Sequence, residues 1–503
     1  MTVATLDILL NRSIGTRDPR IFGHFIEHFH RQIYGGVFDP GSPLANANGF
    51  RTDVIDALRR IRCPIIRWPG GCFASAYPWK KGVGKTRIPY YDKAWRVEES
   101  NAFGTDEFIG FCRQVGAEPY ICTNAGTGTA EEMSDWVEYC NLDVGEWAAR
   151  RRENGNPKPY DVRYWSIGNE NYGGWEMGAK TADEWARYVR ESAKMMKRVD
   201  PSIELAAPTV ADIDWNAKLL RHAGDLLNWV SIHGYYGSLD SSYGEIIARS
   251  GEPERLISKT ESILDSLGCS GRIRIAFDEW NARGWHHPGF GGFDAANRAD
   301  MDRNDHNSVY TMADALFSAC FLNACLRHCR TVGMANFSPV VNTVGAIFTH
   351  GRGIVLRPSY HVFDLYANHT YAEALRCFVT SPSFAIRSGQ GSQAAVPHLE
   401  AVATRDPETD ALSVVLVNLH DAAPISCRVR LLNGAGGRKI EHLTLTGDDP
   451  DAFNDVDNPD RVGIQAGEME GVDWDSFEYE CPAHSVAVLK TRAVVQDRSG
   501  AEE

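Results

Sequence analysis

Eight short apolar runs, each followed by a stretch with helix-forming composition, dominate the chain from about residue 20 to residue 370. The runs are residues 21–25, 65–68, 119–123, 164–169, 204–208, 229–233, 274–278 and 331–336. Short runs of this kind are typical of strands buried on both faces of a parallel sheet. The helical candidates between them are residues 53–62, 105–115, 181–199, 253–267 and 307–328. Eight such units predict an α/β fold, a (β/α)8 TIM barrel, with a doubly wound open sheet as the alternative.

The pattern changes after about residue 371, where residues 412–418, 427–432 and 485–490 alternate or run β-branched between turn-rich breaks such as 433–437. Such short strands predict a C-terminal all-β sandwich, and residues 5–10 form a further strand that we expect to join it. A chain of 503 residues is too long for one simple core. We therefore expect a barrel over 16–370, a β-sandwich over 1–15 with 371–492, and a disordered tail over 493–503.

Charge and composition exclude several classes of partner. The net charge of −14 disfavours nucleic acid, whose phosphates require a surplus of Lys and Arg. No window approaches 18 uninterrupted apolar residues, so we expect no membrane partner. The N-terminus lacks the pattern of a signal peptide, and the 12 cysteines show no framework spacing, which together predict a cytoplasmic protein with reduced thiols. No phosphate loop or dinucleotide fingerprint appears, so we expect no cofactor.

Polar and aromatic residues crowd the C-terminal ends of the predicted strands, where barrel enzymes place their active sites. A single carboxylate at such a position has a simpler explanation, since it can cap the helix that follows. Several at one end of the same barrel point instead to a site. The strand ends with this character are residues 23–28, 67–72, 169–171, 233–236, 278–281 and 336–342.

Glu170 and Glu279 follow the fourth and seventh predicted strands. Strands three steps apart lie across the mouth of an eight-stranded barrel, so both side chains can project into one pocket. Glycoside hydrolysis uses such a pair: one carboxyl, with its pKa raised, protonates the leaving oxygen, and the other stays ionised and attacks the anomeric carbon. Two unrelated surface glutamates are the alternative interpretation.

These residues resemble glycoside hydrolase family 51, the α-L-arabinofuranosidases, within the retaining (β/α)8 glycosidases called clan A. The resemblance covers nearly the whole barrel in order. The C-terminal region matches the family's β-domain only in its position and in its pattern of short strand-forming runs. The phrases concerned are IFGHFIEHFHRQIYGGVFDP (21–40), IIRWPGGCF (65–73), NAFGTDEFIGFC (101–112), GAEPYI (116–121), MSDWVEY (133–139), YWSIGNEN (164–171), SIHGYY (231–236), IAFDEWN (275–281) and PSYHVFDLY (358–366).

The resemblance implies a role for each member of the pair and for two neighbours. Glu170 would be the general acid/base, and Glu279 the nucleophile that forms a covalent glycosyl-enzyme, opened by water with retention. Asn169 would bond the sugar 2-hydroxyl. Arg67 would hold Glu279 ionised by its opposite charge, although a buried, fully satisfied barrel arginine is the simpler interpretation of that residue.

The remaining candidates would surround the sugar. His233 and Tyr235 would support the acid and the nucleophile by hydrogen bonding, although His233 could be no more than a buried core histidine. Glu27 would accept hydrogen bonds from the terminal sugar hydroxyls, and Cys72 would line the sugar site. The predicted substrate-binding set is Glu27, Arg67, Cys72, Asn169, His233, Tyr235, Trp285 and Asn342.

Departures from the family's pattern concern the sugar-binding positions. Tyr172 stands where Trp is common, and Pro339 stands where a Gln usually touches the sugar. Ser75 and Pro78 belong to a run that many members fill with an acidic residue and a later His. The loop 283–307 is long, and it carries Trp285, His286, His287 and His306.

Metal sites are weakly indicated. The run Asp300-x-Asp302-x-Asn304 begins like a calcium loop, but it lacks the Gly and the Glu that such a loop requires. Cys320, Cys325 and Cys329 fall on one predicted helix with a spacing that suits core thiols better than a metal site. We therefore expect no metal.

The sequence thus predicts a retaining exo-glycosidase that hydrolyses terminal non-reducing α-L-arabinofuranosyl residues from arabinose-containing oligosaccharides. The alternatives are another furanosidase or an endo-β-glucanase on the same scaffold, and a carbohydrate-binding protein that has lost activity. The resemblance also implies a homo-oligomer, often a hexamer.

Overall fold

The computed structural model describes residues 3–285, 303, 307, 310–388, 392–432, 440–469 and 476–491. The first part of the chain contains strands β1 (Val3–Thr16), β2 (Gly23–Phe25), β3 (Ile65–Trp68), β4 (Tyr90–Asp92), β5 (Val97–Glu99), β6 (Glu118–Thr123), β7 (Tyr164–Ile167), β8 (Glu204–Pro208), β9 (Trp229–Gly237), β10 (Arg274–Arg283), β11 (Val332–Phe337), β12 (Ile347–His350) and β13 (Gly353–Leu356). The helices are α1 (Thr52–Arg60), α2 (Thr105–Val115), α3 (Ala130–Asn141), α4 (Glu146–Glu153), α5 (Ala182–Val199), α6 (Ile213–Ala223), α7 (Tyr243–Ile247), α8 (Glu252–Ser266), α9 (Met312–Arg327) and α10 (Pro358–His369).

Eight strands close into a parallel barrel in the order β2-β3-β6-β7-β8-β9-β10-β11, and β11 pairs back with β2. The predicted (β/α)8 fold is confirmed. The open-sheet alternative is wrong, because the first and last strands of the set are hydrogen-bonded to each other. The carboxyl ends of all eight strands therefore form a single rim.

The outer helix α5 packs on the barrel through one apolar face, as the spacing of its apolar residues predicts. Its buried residues Trp185, Val189, Ala193 and Met196 recur every three to four positions and form one apolar face. The helix begins with a capping box. The Thr181 hydroxyl accepts from the backbone N–H of Glu184, and the Glu184 carboxylate accepts from the backbone N–H of Thr181.

Two predicted elements differ at their starts. The first predicted strand, 21–25, is reduced to β2, because Pro19–Phe22 forms a short 3-10 helix capped by the Asp18 side chain. The last long helix was expected over 307–328 but begins at Met312. Thr311 caps it there, with its hydroxyl accepting from Ala313 N and Asp314 reaching back to its backbone.

The C-terminal part contains β14 (Glu373–Thr380), β15 (Ser383–Ser388), β16 (Ser392–Pro397), β17 (Leu399–Arg405), β18 (Leu412–Asn418), β19 (Ile425–Leu432), β20 (Ile440–Thr446), β21 (Gly463–Met469), β22 (Ser476–Cys481) and β23 (Ser485–Thr491). Nine strands form one sheet in the order β21-β20-β23-β18-β17-β14-β1-β19-β22. The edge strand β22 folds back against β18 and β23, which encloses a second apolar core. The predicted C-terminal β domain is confirmed in this form.

Strand β1 lies inside that sheet, antiparallel to β14 and parallel to β19. Its residues Leu6 and Ile8 are fully buried in the second core. Helices α9 and α10 of the barrel pack against strands of the same sheet. The domain limits at 15/16 and 370/371 stay predictions, and the tail 493–503 lies outside the described residues. None of the described helices has the length and apolar character to cross a membrane.

Candidate active site

Glu170 is delivered to the barrel mouth by a strained turn at the end of β7. Gly168 adopts φ +75°, and a Cβ on it would lie 2.2 Å from Asn171 Oδ1 and 2.5 Å from the Ala125 side chain, so only glycine fits. Glu170 itself has φ +42°, a conformation that non-glycine residues rarely adopt. Such strain is concentrated at functional sites, where it re-aims a side chain.

A β-bulge in β10 brings two consecutive acids to the same side of the strand. Ala276 and Glu279 pair with residues two apart on β9, although they are three apart themselves, and the pairing with β11 shows the same extra residue. Consecutive side chains on a regular strand point to opposite faces, whereas a bulge removes that alternation. Asp278 and Glu279 therefore both reach the guanidinium of Arg67.

The two glutamates meet as the sequence predicted. Carboxylate oxygens of Glu170 and Glu279 and a ring nitrogen of His233 all lie within 4.8 Å of one another. Retaining glycosidases hold their two carboxyl groups about 5–5.5 Å apart, and inverting enzymes hold them about 6.5–9.5 Å apart to admit a water. The spacing between Glu170 and Glu279 corresponds to the shorter range, that of retaining enzymes.

Arg67 is fully buried and connects the pair to its neighbours. Its Nη1 donates to Glu279 Oε2 at 2.7 Å, and its Nη2 donates to Asn169 Oδ1 at 2.8 Å. Its Nε lies 3.5 Å from Asp278 Oδ2. Burial alone would raise the pKa of Asp278, but the charge of Arg67 and the contact with His233 outweigh burial and lower the pKa to about 2. Both acids beside Arg67 thus have a fixed positive partner.

His233 and Tyr235 support the pair from β9. His233 Nδ1 lies 2.9 Å from Glu170 Oε1, and its Nε2 lies 3.3 Å from Asp278 Oδ1. Burial alone would lower the pKa of His233, but the charge of Glu279 and hydrogen bonds to Asp278 and Glu170 raise it to about 10. The Tyr235 hydroxyl donates to Glu279 Oε1 at 2.7 Å.

The carboxylate of Glu170 accepts three hydrogen bonds. Tyr172 Oη donates to Oε1 at 3.1 Å, Trp175 Nε1 donates to Oε2 at 2.8 Å, and His233 lies against Oε1. Burial raises the pKa of Glu170, but these donors and the charge of His233 outweigh burial and leave the pKa below its ordinary value. The raised pKa that is expected of a general acid is therefore not found for Glu170.

Glu27 lies fully buried in the same pocket. Its Oε1 accepts from Phe73 N and from Trp95 Nε1, both at 3.0 Å. Gly70 makes room for it, since a Cβ there would lie 2.3 Å from Glu27 Cγ. Burial and the charge of Glu279 raise the pKa of Glu27 to about 8. Its Oε2 has no hydrogen-bond partner among the described residues, so a ligand hydroxyl can use it.

Three other residues of the predicted substrate-binding set are Cys72, Trp285 and Asn342. Cys72 is partly buried, and burial followed by the surrounding carboxylates raises the pKa of its thiol. The Trp285 ring stacks edge-on against Tyr235 at 4.8 Å. Asn342 has φ +54°, and its amide donates to Arg31 O and Thr349 Oγ1 and accepts from Thr349 N, so its role in sugar binding stays a prediction.

Departures from the family's pattern also have places in the structure. Tyr172 donates a hydrogen bond to Glu170, so it contacts that carboxylate directly. Ser75 is fully buried near the pocket, and Pro339 follows Ser338, whose hydroxyl lies 2.8 Å from that of Tyr235. Six residues of the long loop that were named in the sequence analysis lie outside the described part of the chain, namely His286, His287, Asp300, Asp302, Asn304 and His306.

Sequence reasoning missed Asp278 as a partner of Arg67, and it missed Trp95, Trp175 and Glu176. Trp95 lies in the turn between β4 and β5, which are not strands of the barrel. Trp175 and Glu176 lie in the loop after β7, where no periodicity marks them. The one available signal is their position five and six residues after Glu170, in the loop that must wrap the acid.

Glu170, His233 and Glu279 also have the composition of a metal-binding group. A histidine ligates a metal through a neutral ring nitrogen. The raised pKa of His233 keeps its ring protonated near neutral pH, so this group suits proton transfer better than cation binding.

Two family models match the chain. The model described as the alpha-L-arabinofuranosidase 1 domain matches residues 57–244, and the one described as the alpha-L-arabinofuranosidase C-terminal domain matches residues 278–485. The first match covers the strand ends that carry Arg67, Glu170 and His233, and the second begins just before Glu279.

Named relatives match over almost the whole chain. Alpha-L-arabinofuranosidase C of Emericella nidulans is 33% identical, over 96% of this chain and 96% of its own. The intracellular exo-alpha-(1->5)-L-arabinofuranosidase of Halalkalibacterium halodurans is 32% identical, over 90% of this chain and 92% of its own. The alpha-L-arabinofuranosidase of Thermotoga maritima, solved as an arabinose complex, is 35% identical with a TM-score of 0.87, over 97% of this chain and 99% of its own. The GH51 alpha-L-arabinofuranosidase of Thermotoga petrophila is 35% identical with a TM-score of 0.88, over 97% and 100%.

Proposed function

The chain belongs to glycoside hydrolase family 51, the α-L-arabinofuranosidases, and on that premise we propose that Glu170 and Glu279 carry its reaction. The enzyme is an exo-acting glycoside hydrolase that removes terminal α-L-arabinofuranosyl residues. The observation that supports the residue assignment best is the carboxyl pair itself, with oxygens within 4.8 Å at the rim of a closed barrel. A short spacing of this kind supports a retaining mechanism, because inverting enzymes hold their two carboxyl groups farther apart.

Glu279 is the nucleophile in this proposal. Its two oxygens are held by Arg67 at 2.7 Å and by Tyr235 at 2.7 Å, which fixes the carboxylate before substrate arrives. It attacks the anomeric carbon, the bond to the leaving oxygen breaks, and a covalent arabinosyl-enzyme forms. Arg67 forms a buried ion pair with this carboxylate and orients it for attack.

Glu170 is the acid/base in this proposal, and it shares its proton with His233. His233 is protonated near neutral pH and lies 2.9 Å from Glu170, so the two residues together hold the proton that the leaving oxygen requires. After the leaving group departs, Glu170 accepts a proton from the attacking water. Water then opens the arabinosyl-enzyme with net retention.

The sugar itself would be held by the residues around the pair. Asn169 bonds the 2-hydroxyl, and the free oxygen of Glu27 bonds a terminal hydroxyl. Cys72 and Trp285 form parts of the wall.

We propose that the enzyme works in the cytoplasm on arabinose-containing oligosaccharides. The bacterial relatives from Halalkalibacterium halodurans and Bacillus subtilis are both named intracellular. A homo-oligomer, with a hexamer as the form that the family resemblance implies, completes the proposal.

Purified protein given p-nitrophenyl α-L-arabinofuranoside tests the function. The wild type is expected to release nitrophenol, and Glu279→Ala is expected to lower kcat by at least about 1000-fold, because it removes the nucleophile. Asp183→Ala, which removes an exposed carboxyl at the start of α5, serves as the control and should leave the rate unchanged. An inert wild type, or a Glu279→Ala variant of undiminished rate, would refute the proposal.

A further inference from the structure

Glu176 is a buried carboxyl that the steps above do not use. It is 4% exposed and lies in the loop after β7. Its Oε2 accepts a hydrogen bond from Asn169 Nδ2 at 3.0 Å. Its Oε1 has no hydrogen-bond partner in the part of the chain that the structure describes. Burying a carboxyl group with an unsatisfied oxygen is unfavourable, so a stabilising role in the fold does not explain it.

Glu176 lies at the catalytic pocket, because its partner Asn169 is bonded to the same Arg67 guanidinium that holds Glu279. After burial, its charge contributes most to raising the pKa of the Cys72 thiol, ahead of Glu27, Glu170 and Glu279. The thiol therefore lies among four carboxyls, and Glu176 belongs to that group. Burial raises the pKa of Glu176 to about 7. The nearby Ser75 hydroxyl limits this rise. Its Oγ makes no hydrogen bond to a described residue.

Asn169 is held at both ends of its amide. Its Oδ1 accepts from Arg67 Nη2 at 2.8 Å, and its Nδ2 donates one of its two hydrogens to Glu176. A flipped amide would place its NH2 group against Arg67 and its carbonyl against Glu176, and both contacts would be repulsive. Among the described residues, the second N–H of Nδ2 has no protein acceptor.

We propose that Glu176 is a positioning residue that fixes the Asn169 amide so that its free N–H meets the sugar 2-hydroxyl. The inference rests on the proposed role of Asn169 and deepens it. Hydrogen bonds to this hydroxyl strengthen in the transition state, so their alignment affects kcat more than KM. A misaligned contact of this kind costs about 10- to 100-fold in rate.

A double-mutant cycle on p-nitrophenyl α-L-arabinofuranoside tests the inference. Glu176→Ala should lower kcat by about 10- to 100-fold with KM changed by less than about threefold. Asn169→Ala should lower it further, and the double variant should be no slower than Asn169→Ala alone, because Glu176 acts through Asn169. Glu176→Gln, whose side-chain carbonyl can still accept from Asn169, should recover most of the loss.

Circular dichroism of each variant checks that the fold is intact. Additive losses in the double variant, equal loss in Glu176→Gln and Glu176→Ala, or no loss in Glu176→Ala would each overturn the inference. A wild type inert on the arabinofuranoside would instead refute the proposed function, so the two failures are distinguishable.

Discussion

Glu170 combines a left-handed backbone with a carboxylate that accepts hydrogen bonds from Tyr172, Trp175 and His233. Each of these donors favours the ionised form, which suits the base that we propose Glu170 to be in the second half of the reaction. For the first half, the proton held by the His233–Glu170 pair must move to the leaving oxygen. The demand for that proton depends on the leaving group.

Glu170→Ala should therefore show a rate loss that depends on the leaving group. On arabino-oligosaccharides, kcat/KM should fall by at least about 100-fold, since a sugar alkoxide leaves poorly without a proton. On p-nitrophenyl α-L-arabinofuranoside, the same ratio should fall by less than about 10-fold, since nitrophenolate leaves unaided. Steady-state kinetics of both substrates measure the difference, and equal losses would count against Glu170 as the acid.

At the scale of single elements, the bulge in β10 decides the electrostatics of the site. It allows Asp278 and Glu279 to share Arg67, and Asp278 also accepts from Tyr120 Oη and Ser231 Oγ, both at 2.6 Å. Asp278 is fully buried, so removing it leaves buried charge and hydroxyl groups without their acceptor.

Asp278→Ala should destabilise the protein by about 3–5 kcal/mol, the cost of breaking a buried ion pair. Asp56→Ala is the matched control, because Asp56 pairs with Arg59 on an exposed helix surface where such pairs contribute about 0–1 kcal/mol. Thermal unfolding of the two variants beside the wild type gives the comparison. Similar shifts in Tm would contradict a stabilising role for the buried Asp278 carboxylate.

The eight strands and the carboxyl pair could be predicted because both depend on residue type and chain order. Buried parallel strands are continuous apolar runs, and in a closed barrel their ends share one rim. The bulge could not be predicted, because it depends on the register between β10 and its two neighbours. Glu176 was missed for a similar reason: its burial arises from contacts with Asn169 and Cys72, which no local pattern reveals.

At the scale of the whole molecule, the pocket lowers stability in a pH-dependent way. The pKa of Glu27 is raised from 4.5 to about 8 and that of Glu176 from 4.5 to about 7, in both cases chiefly by burial. Each group binds its proton more tightly in the folded state than in the unfolded state. The free energy of unfolding therefore falls as the pH rises from about 4.5 through these folded pKa values.

The double variant Glu27→Gln with Glu176→Gln removes both titrations. Its stability relative to the wild type should rise by on the order of 2 kcal/mol or more between about pH 5 and about pH 9. Thermal unfolding at the two pH values measures this, and the comparison across pH cancels any constant effect of the substitutions. The same difference in Tm at both pH values would contradict the raised pKa values.

The central claim, that Glu279 attacks and Glu170 shuttles the proton, is tested most directly by azide rescue. Azide added to Glu279→Ala can attack the anomeric carbon in place of the missing carboxylate, so the account predicts a β-arabinofuranosyl azide of inverted configuration. With Glu170→Ala, azide should open the arabinosyl-enzyme and give the α-azide with retained configuration. Product configuration by NMR decides the matter, and the α-azide from Glu279→Ala with the β-azide from Glu170→Ala would contradict the assignment.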